Sequence, residues 1–127
     1  MSRRFSQDHI LERVAYARSL GISINFLACN LRGADLHGQD LSGVILDRAN
    51  LSQTNLSGAN LRGADLTSAN LTGANLARVN LSGANLDQAD LGKASLVRAN
   101  LIGTKYTRQT RWPEGFDPEE AGAVLEK

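Results

Sequence analysis

Acid–base, nucleophilic or metal chemistry in this 127-residue chain would have to come from a short set of side chains: His9, His37, Cys29 and the aspartates Asp35, Asp40, Asp65 and Asp90. Such chemistry needs groups that converge in a concavity, one oriented by another. The spacing here does not bring that about. The two histidines lack the interval of a metal-ligating pair. Cys29 is the single cysteine, so it makes neither an intramolecular disulfide nor a zinc set, and it reads as a small buried residue. Each of the four aspartates directly precedes a leucine in a recurring pattern, which gives it a turn-bonding role on the outer surface instead of membership in a carboxylate pair. The glycines recur at the same interval, as turn residues and not as a phosphate-binding loop. No catalytic, cofactor-binding or metal-binding residue is assigned, and the chain is expected not to be an enzyme.

Composition narrows the classes further. The formal charge is +1, and residues 30–104 carry six basic and six acidic residues, so nothing marks the chain for capture of nucleic acid, an anionic membrane or an acidic substrate. All six aromatic residues lie outside positions 31 to 105, so aliphatic side chains alone must pack the middle. No stretch approaches the roughly 20 apolar residues of a membrane span. The N-terminal stretch is charged and amphipathic, unlike a signal segment. A cytoplasmic location is the expectation.

The middle is a repeat. Leucine recurs at every fifth position from Leu31 to Leu101, fifteen times without a miss, with Phe26 and Tyr106 in the same phase at either end. Alanine stands two residues before the leucine in ten of the fifteen repeats, Asn or Asp directly before it in thirteen, and glycine two residues after it in eight. A period of five fits neither an α-helix, on which the leucines would spiral over every face, nor a flat strand, on which they would alternate between faces. Burying all fifteen together requires the chain to turn by a similar amount in each repeat, as a coil with short sides. Alanine and leucine, two apart, point inward together, while Asn, Gly and Ser fill the corners.

The consensus, Ala34-Asp35-Leu36-His37-Gly38 or Ala59-Asn60-Leu61-Arg62-Gly63, resembles the pentapeptide-repeat family. That resemblance implies an all-β solenoid, a right-handed quadrilateral β-helix of about four coils in which residues twenty apart stack. The leucine columns would begin at Leu31, Leu36, Leu41 and Leu46, and Arg78 would stack on Arg98 as a small basic edge.

Both ends depart from the repeat, as the ends of stacked coils must. Residues 7 to 20 place Ile10, Leu11, Val14, Ala17 and Leu20 near helical spacing, with Ser6 or Asp8 to cap the start and Gly21 to stop it. Asp117-Pro118 with Glu120 has the form of a helix start, so a second short helix is expected from Pro118 to about Leu125. The run Pro113-Glu114-Gly115-Phe116-Asp117-Pro118 looks like the tail of many cyanobacterial members of the same family, which implies a photosynthetic bacterial source. The expected organisation is a helical cap at 1–24, the repeat array at 25–106 and a C-terminal cap with a short helix at 107–127.

The functional expectation is a non-enzymatic structural or protein-interaction module, with a protein partner and no cofactor, small-molecule substrate or membrane. Nucleic acid is disfavoured by the neutral charge, and the chain is expected as a monomer or an end-to-end dimer. The alternative is DNA mimicry toward a topoisomerase, which a branch similar in repeat performs with a long, markedly acidic rod. The neutral array here lacks that physical cause.

Overall fold

The computed structural model describes residues 3–126. Between Cys29 and Lys105 the backbone repeats one motif, a turn followed by a single bridging residue, so regular strands are almost absent although ladder bonding is dense. Each residue before Phe26 or an inward leucine bridges in parallel to the residue twenty positions on, from Asn25 with Ile45 through Asn85 with Lys105. Because these residues recur every five positions, the bridges form four columns. One runs Asn30, Asn50, Asn70, Asp90; a second Asp35, Asn55, Asn75, Ser95; a third Asp40, Asn60, Asn80, Asn100; a fourth Asn25, Ile45, Asp65, Asn85, Lys105. Neighbouring rungs are about 4.8 Å apart, the spacing of hydrogen-bonded strands. A typical rung is the Leu61 amide donating to the Asn80 carbonyl at 2.7 Å, with the Asn80 amide returning to the Ala59 carbonyl at 3.0 Å.

The interior is aliphatic. Leu31, Leu51, Leu56, Leu61, Leu66 and Leu71 are fully buried, and the alanines two residues ahead of the leucines line the same interior. Where threonine replaces alanine, its hydroxyl is satisfied by a backbone carbonyl: Thr54 Oγ1 donates to Leu51 at 2.7 Å and Thr104 Oγ1 to Leu81 at 2.7 Å. Small residues are therefore needed for volume, but a short polar one is tolerated because the coil supplies an acceptor.

The corner two residues after each leucine is left-handed. Glycine occupies it at Gly43, Gly63, Gly83 and Gly103, where a side chain would be strained. Arginine takes the same conformation at Arg78 (φ 57°) and Arg98 (φ 58°).

At the N-terminal end, helix α1 (Gln7–Leu20) begins at Ser6, whose hydroxyl accepts the His9 amide, and stops at Gly21 in the left-handed conformation. Ile10, Val14 and Ala17 are its buried residues. The segment covers each of the four columns at its exposed edge. Arg4 bridges Asn30, with the Phe5 amide on the Asn30 carbonyl at 3.0 Å. The Gln7 carboxamide accepts from the Asp35 amide at 2.7 Å and donates to the Asp35 carbonyl at 2.6 Å, replacing a strand with one side chain. Arg13 donates to the Asn25 carbonyl at 2.9 Å, and Arg18 donates to the Asp40 carbonyl while pairing with its carboxylate at 3.2 Å.

The C-terminal end differs from the sequence expectation, because no second helix forms. Asp117 does cap a turn, accepting the Glu120 amide at 3.2 Å, but the turn is single. Gly122 (φ 97°) then reverses the backbone, and β2 (Val124–Leu125) pairs in parallel with β1 (Lys105–Tyr106). The open edge of Lys105–Tyr106 offers ladder partners to Val124–Leu125, which outcompetes a helix interrupted by glycine. Pairing thus extends past the 25–106 stretch at both ends.

Candidate functional site

The four repeat aspartates are dispersed by the fold. Asp90 lies on the first column, Asp35 on the second, Asp40 on the third and Asp65 on the fourth, so no two of them face one another. Each is tied to its own turn: the side-chain oxygen of Asp35, Asp40, Asp65 and Asp90 accepts the amide two residues on, at 2.9–3.2 Å. Among the described residues no group of three or more His, Cys, Asp or Glu side chains is placed to hold a metal ion.

One pairing was not foreseen from sequence. His37 Nδ1 lies 2.7 Å from Asp35 Oδ1, and both side chains are exposed. The hydrogen bonds from the His37 ring and amide hold the Asp35 carboxyl below its ordinary range. The signal was present in the Asp-Leu-His order, since residues two apart across the leucine meet over the same turn. The Asp40 carboxyl is lowered chiefly by the Ser42 hydroxyl at 2.8 Å, then by the Ser42 amide and Arg18. His9 lies in α1 and does not approach His37 within bonding distance. Cys29 is half-buried, and burial raises its thiol pKa, leaving it a poor nucleophile.

Aromatic residues pack together at the two ends. At the N-terminal end Phe5 meets Phe26 edge-on at 6.3 Å, and the Arg13 guanidinium lies over both rings. At the C-terminal end Tyr106 meets Trp112 edge-on at 5.4 Å, and Trp112 stacks on Phe116 at 5.3 Å. Burial raises the Tyr106 phenol pKa, with the nearby Glu119 carboxylate adding to it. A cavity of about 490 Å³ forms an open groove beside α1 between Tyr16, Ile22 and Ile24, and Arg13 on its wall is already committed to Asn25.

The most regular chemistry of the molecule lies on its sides. Asn50, Asn55, Asn60, Asn70, Asn75, Asn80, Asn85 and Asn100 each turn the side-chain oxygen onto the amide two residues on, at 2.9–3.0 Å. Ser52, Ser57 and Thr72 add a hydroxyl to the same oxygen at 2.7 Å. The oxygens are consumed locally, so what these asparagines can offer a partner is an Nδ2–H donor, except at Asn60, whose Nδ2 donates to Asp40 Oδ1 at 3.5 Å.

The pattern described as Pentapeptide repeats matches residues 29–67, 45–83 and 74–105 in eight copies, over more than half of the sequence. The chain belongs to the pentapeptide-repeat family. Members of this family form right-handed quadrilateral β-helices. Among solved structures the chain is similar to a pentapeptide repeat protein from Nostoc Pcc 7120, at 38% identity and a TM-score of 0.86, over 91% of this chain and 95% of that one. It is also similar to a pentapeptide repeat protein from the cyanobacterium Cyanothece 51142, at 40% identity and a TM-score of 0.50, over 70% of this chain and 64% of that one. A third, from the Arabidopsis thaliana thylakoid lumen, is 39% identical with a TM-score of 0.51, over 65% of this chain and 60% of that one. No curated protein matches. Within this pentapeptide-repeat chain the functional surface is therefore to be sought on the flat sides, where side-chain chemistry recurs with the coil.

Proposed function

We propose that the protein is a non-enzymatic interaction module: a right-handed quadrilateral β-helix of about four coils, held at its ends by α1 and the C-terminal segment, that presents its sides to a protein partner. The observation that carries this reading is the outward chemistry of the sides. Asparagine amides and hydroxyls stand at fixed positions on a backbone that is bonded coil to coil, so the groups are preorganised and lose little freedom on docking. The four repeat aspartates are meanwhile distributed over four different columns. A cytoplasmic setting is part of the proposal; no helix among the described residues is long and apolar enough to cross a membrane.

Affinity capture with tagged protein tests the reading. Reproducible retention of the same protein, competed by untagged material, is the expected result; no retained protein under any growth condition would remove the support. DNA mimicry would require rows of unpaired carboxylates, whereas Asp35 faces His37 and Asp40 faces Arg18. A supercoiling assay with gyrase should accordingly show no inhibition at stoichiometric protein.

A further inference from the structure

Overall neutrality conceals one uneven side. On the column Asp40, Asn60, Asn80, Asn100, the neighbouring exposed residues include Arg62, two positions after Asn60, and Arg78 and Arg98, two positions before Asn80 and Asn100. None of these three guanidinium groups has an ion-pair partner among the described residues. The one acidic residue of the column, Asp40, is neutralised by Arg18 of the helix at 3.2 Å. The other three columns each carry an aspartate outside such a pairing with arginine: Asp90, Asp35 and Asp65. Arg78 and Arg98 sit one coil apart, about 4.8 Å, so their charges repel until an anion bridges them.

The rest of this side offers donors as well. The Asn80 and Asn100 oxygens are bound to the Ser82 and Ile102 amides at 3.0 Å, which leaves their Nδ2 groups as donors, while Asn60 Nδ2 is engaged by Asp40 Oδ1 at 3.5 Å. The adjoining corner is glycine in every coil, at Gly43, Gly63, Gly83 and Gly103, so no side chain obstructs approach there. Arg78 and Arg98 occupy left-handed corners that Gly38 and Gly58 hold in the coils before them. Arginine accepts a backbone strain there that glycine would avoid.

We infer that this side docks an acidic, extended segment of a partner protein, with Arg62, Arg78 and Arg98 holding its carboxylates and the Asn80 and Asn100 amides donating to its backbone carbonyls. Guanidinium groups match carboxylates in planar, two-point contacts. Amide donors in a row suit the carbonyls of an extended chain. Nucleic acid is the less suitable occupant, because the side has no aromatic residue on which a base could stack and offers only three cations to phosphate. This inference rests on the interaction-module reading and specifies its partner.

The test is fluorescence anisotropy at low salt with a labelled peptide of alternating glutamate and serine, its glutamine counterpart, and a single-stranded DNA oligonucleotide of equal charge. Expected are saturable, salt-sensitive binding of the glutamate peptide and none of the glutamine peptide. The Arg78→Gly/Arg98→Gly variant should bind at least about tenfold more weakly, a loss of about 1.4 kcal/mol, and Arg48→Gln, on another side, should bind as wild type. Since glycine relieves both corners, a melting temperature at or above wild type will show that lost binding is not lost folding. Absence of peptide binding, equal binding by the double variant, or tighter binding of the oligonucleotide would overturn the assignment. If a partner captured from lysate is retained by the double variant, this side alone is refuted; if no partner exists at all, the underlying reading falls with it.

Discussion

The Gln7 carboxamide does the work of a peptide group, and its removal isolates how the solenoid protects an open edge. Both of its bonds, 2.7 Å from the Asp35 amide and 2.6 Å to the Asp35 carbonyl, are lost in Gln7→Met, which keeps the length and helix compatibility of the side chain. A neutral hydrogen bond contributes about 1 kcal/mol net, and Asp35 is exposed enough for water to replace part of each. The expected loss is therefore about 1–2 kcal/mol, less than two full buried bonds. For a domain of this size that lowers the melting temperature by about 3–10 °C. The assay is thermal unfolding followed by circular dichroism, with hydrogen exchange at the Asp35 amide as the local readout. Exchange should accelerate at Asp35 and stay unchanged at Asn80, nine coil sides further into the stack. A variant that melts as wild type does, with Asp35 exchange unaltered, would refute the idea that the carboxamide substitutes for a strand.

Three further expectations concern the interior, the turns and the C-terminal seal. Leu61 is fully buried, so Leu61→Ala should cost about 2–5 kcal/mol by differential scanning calorimetry, and Leu61→Asp, which leaves an unpaired charge inside, should abolish the cooperative transition. The Asp40 carboxyl titrates below its ordinary range, so the unfolded chain binds the proton more readily; its stabilisation is present above the ordinary aspartate range and lost as pH falls through the folded value. Melting temperature followed across that range should fall less steeply in Ser42→Ala, which removes the largest cause. The Trp112 indole N–H is buried without an acceptor among the described residues, so Trp112→Phe should preserve stability or raise it by up to about 1 kcal/mol in urea titration, despite the smaller ring.

The repeat and its inward leucines were legible because one steric demand is restated every five residues, and a signal given fifteen times outweighs any local ambiguity. The ends of α1 were legible for a different reason: Ser6 and Gly21 act on backbone groups within one turn of themselves. Asp117 was legible as a cap on the same grounds, yet the helix behind it does not form, because the competitor is a distant edge at Lys105–Tyr106 that no local pattern reveals. Long-range side-chain substitution was equally hidden. Nothing in Gln7, Arg13 or Arg18 announces a carbonyl acceptor on Asp35, Asn25 or Asp40, since that depends on where the helix lies across the stack. The His37–Asp35 contact could have been read from their spacing across a leucine, and the Arg78–Arg98 edge was legible from the stacking of positions twenty apart, whereas the neutralisation of Asp40 by Arg18 depends on where the helix lies.

The last bridge of the first column joins Asp90 to Arg111, twenty-one positions on, where the bridges from Asn30 to Asn50, Asn50 to Asn70 and Asn70 to Asp90 step by twenty. Thr110 takes the slot of an inward alanine one residue late, its hydroxyl donating to the Leu86 carbonyl at 2.8 Å. That single extra residue works like a stop at the end of a thread. A cassette of four repeats inserted near Leu61 would stay in phase and lengthen the rod, while the same cassette placed after Arg111 would meet a shifted frame and find its leucines facing water.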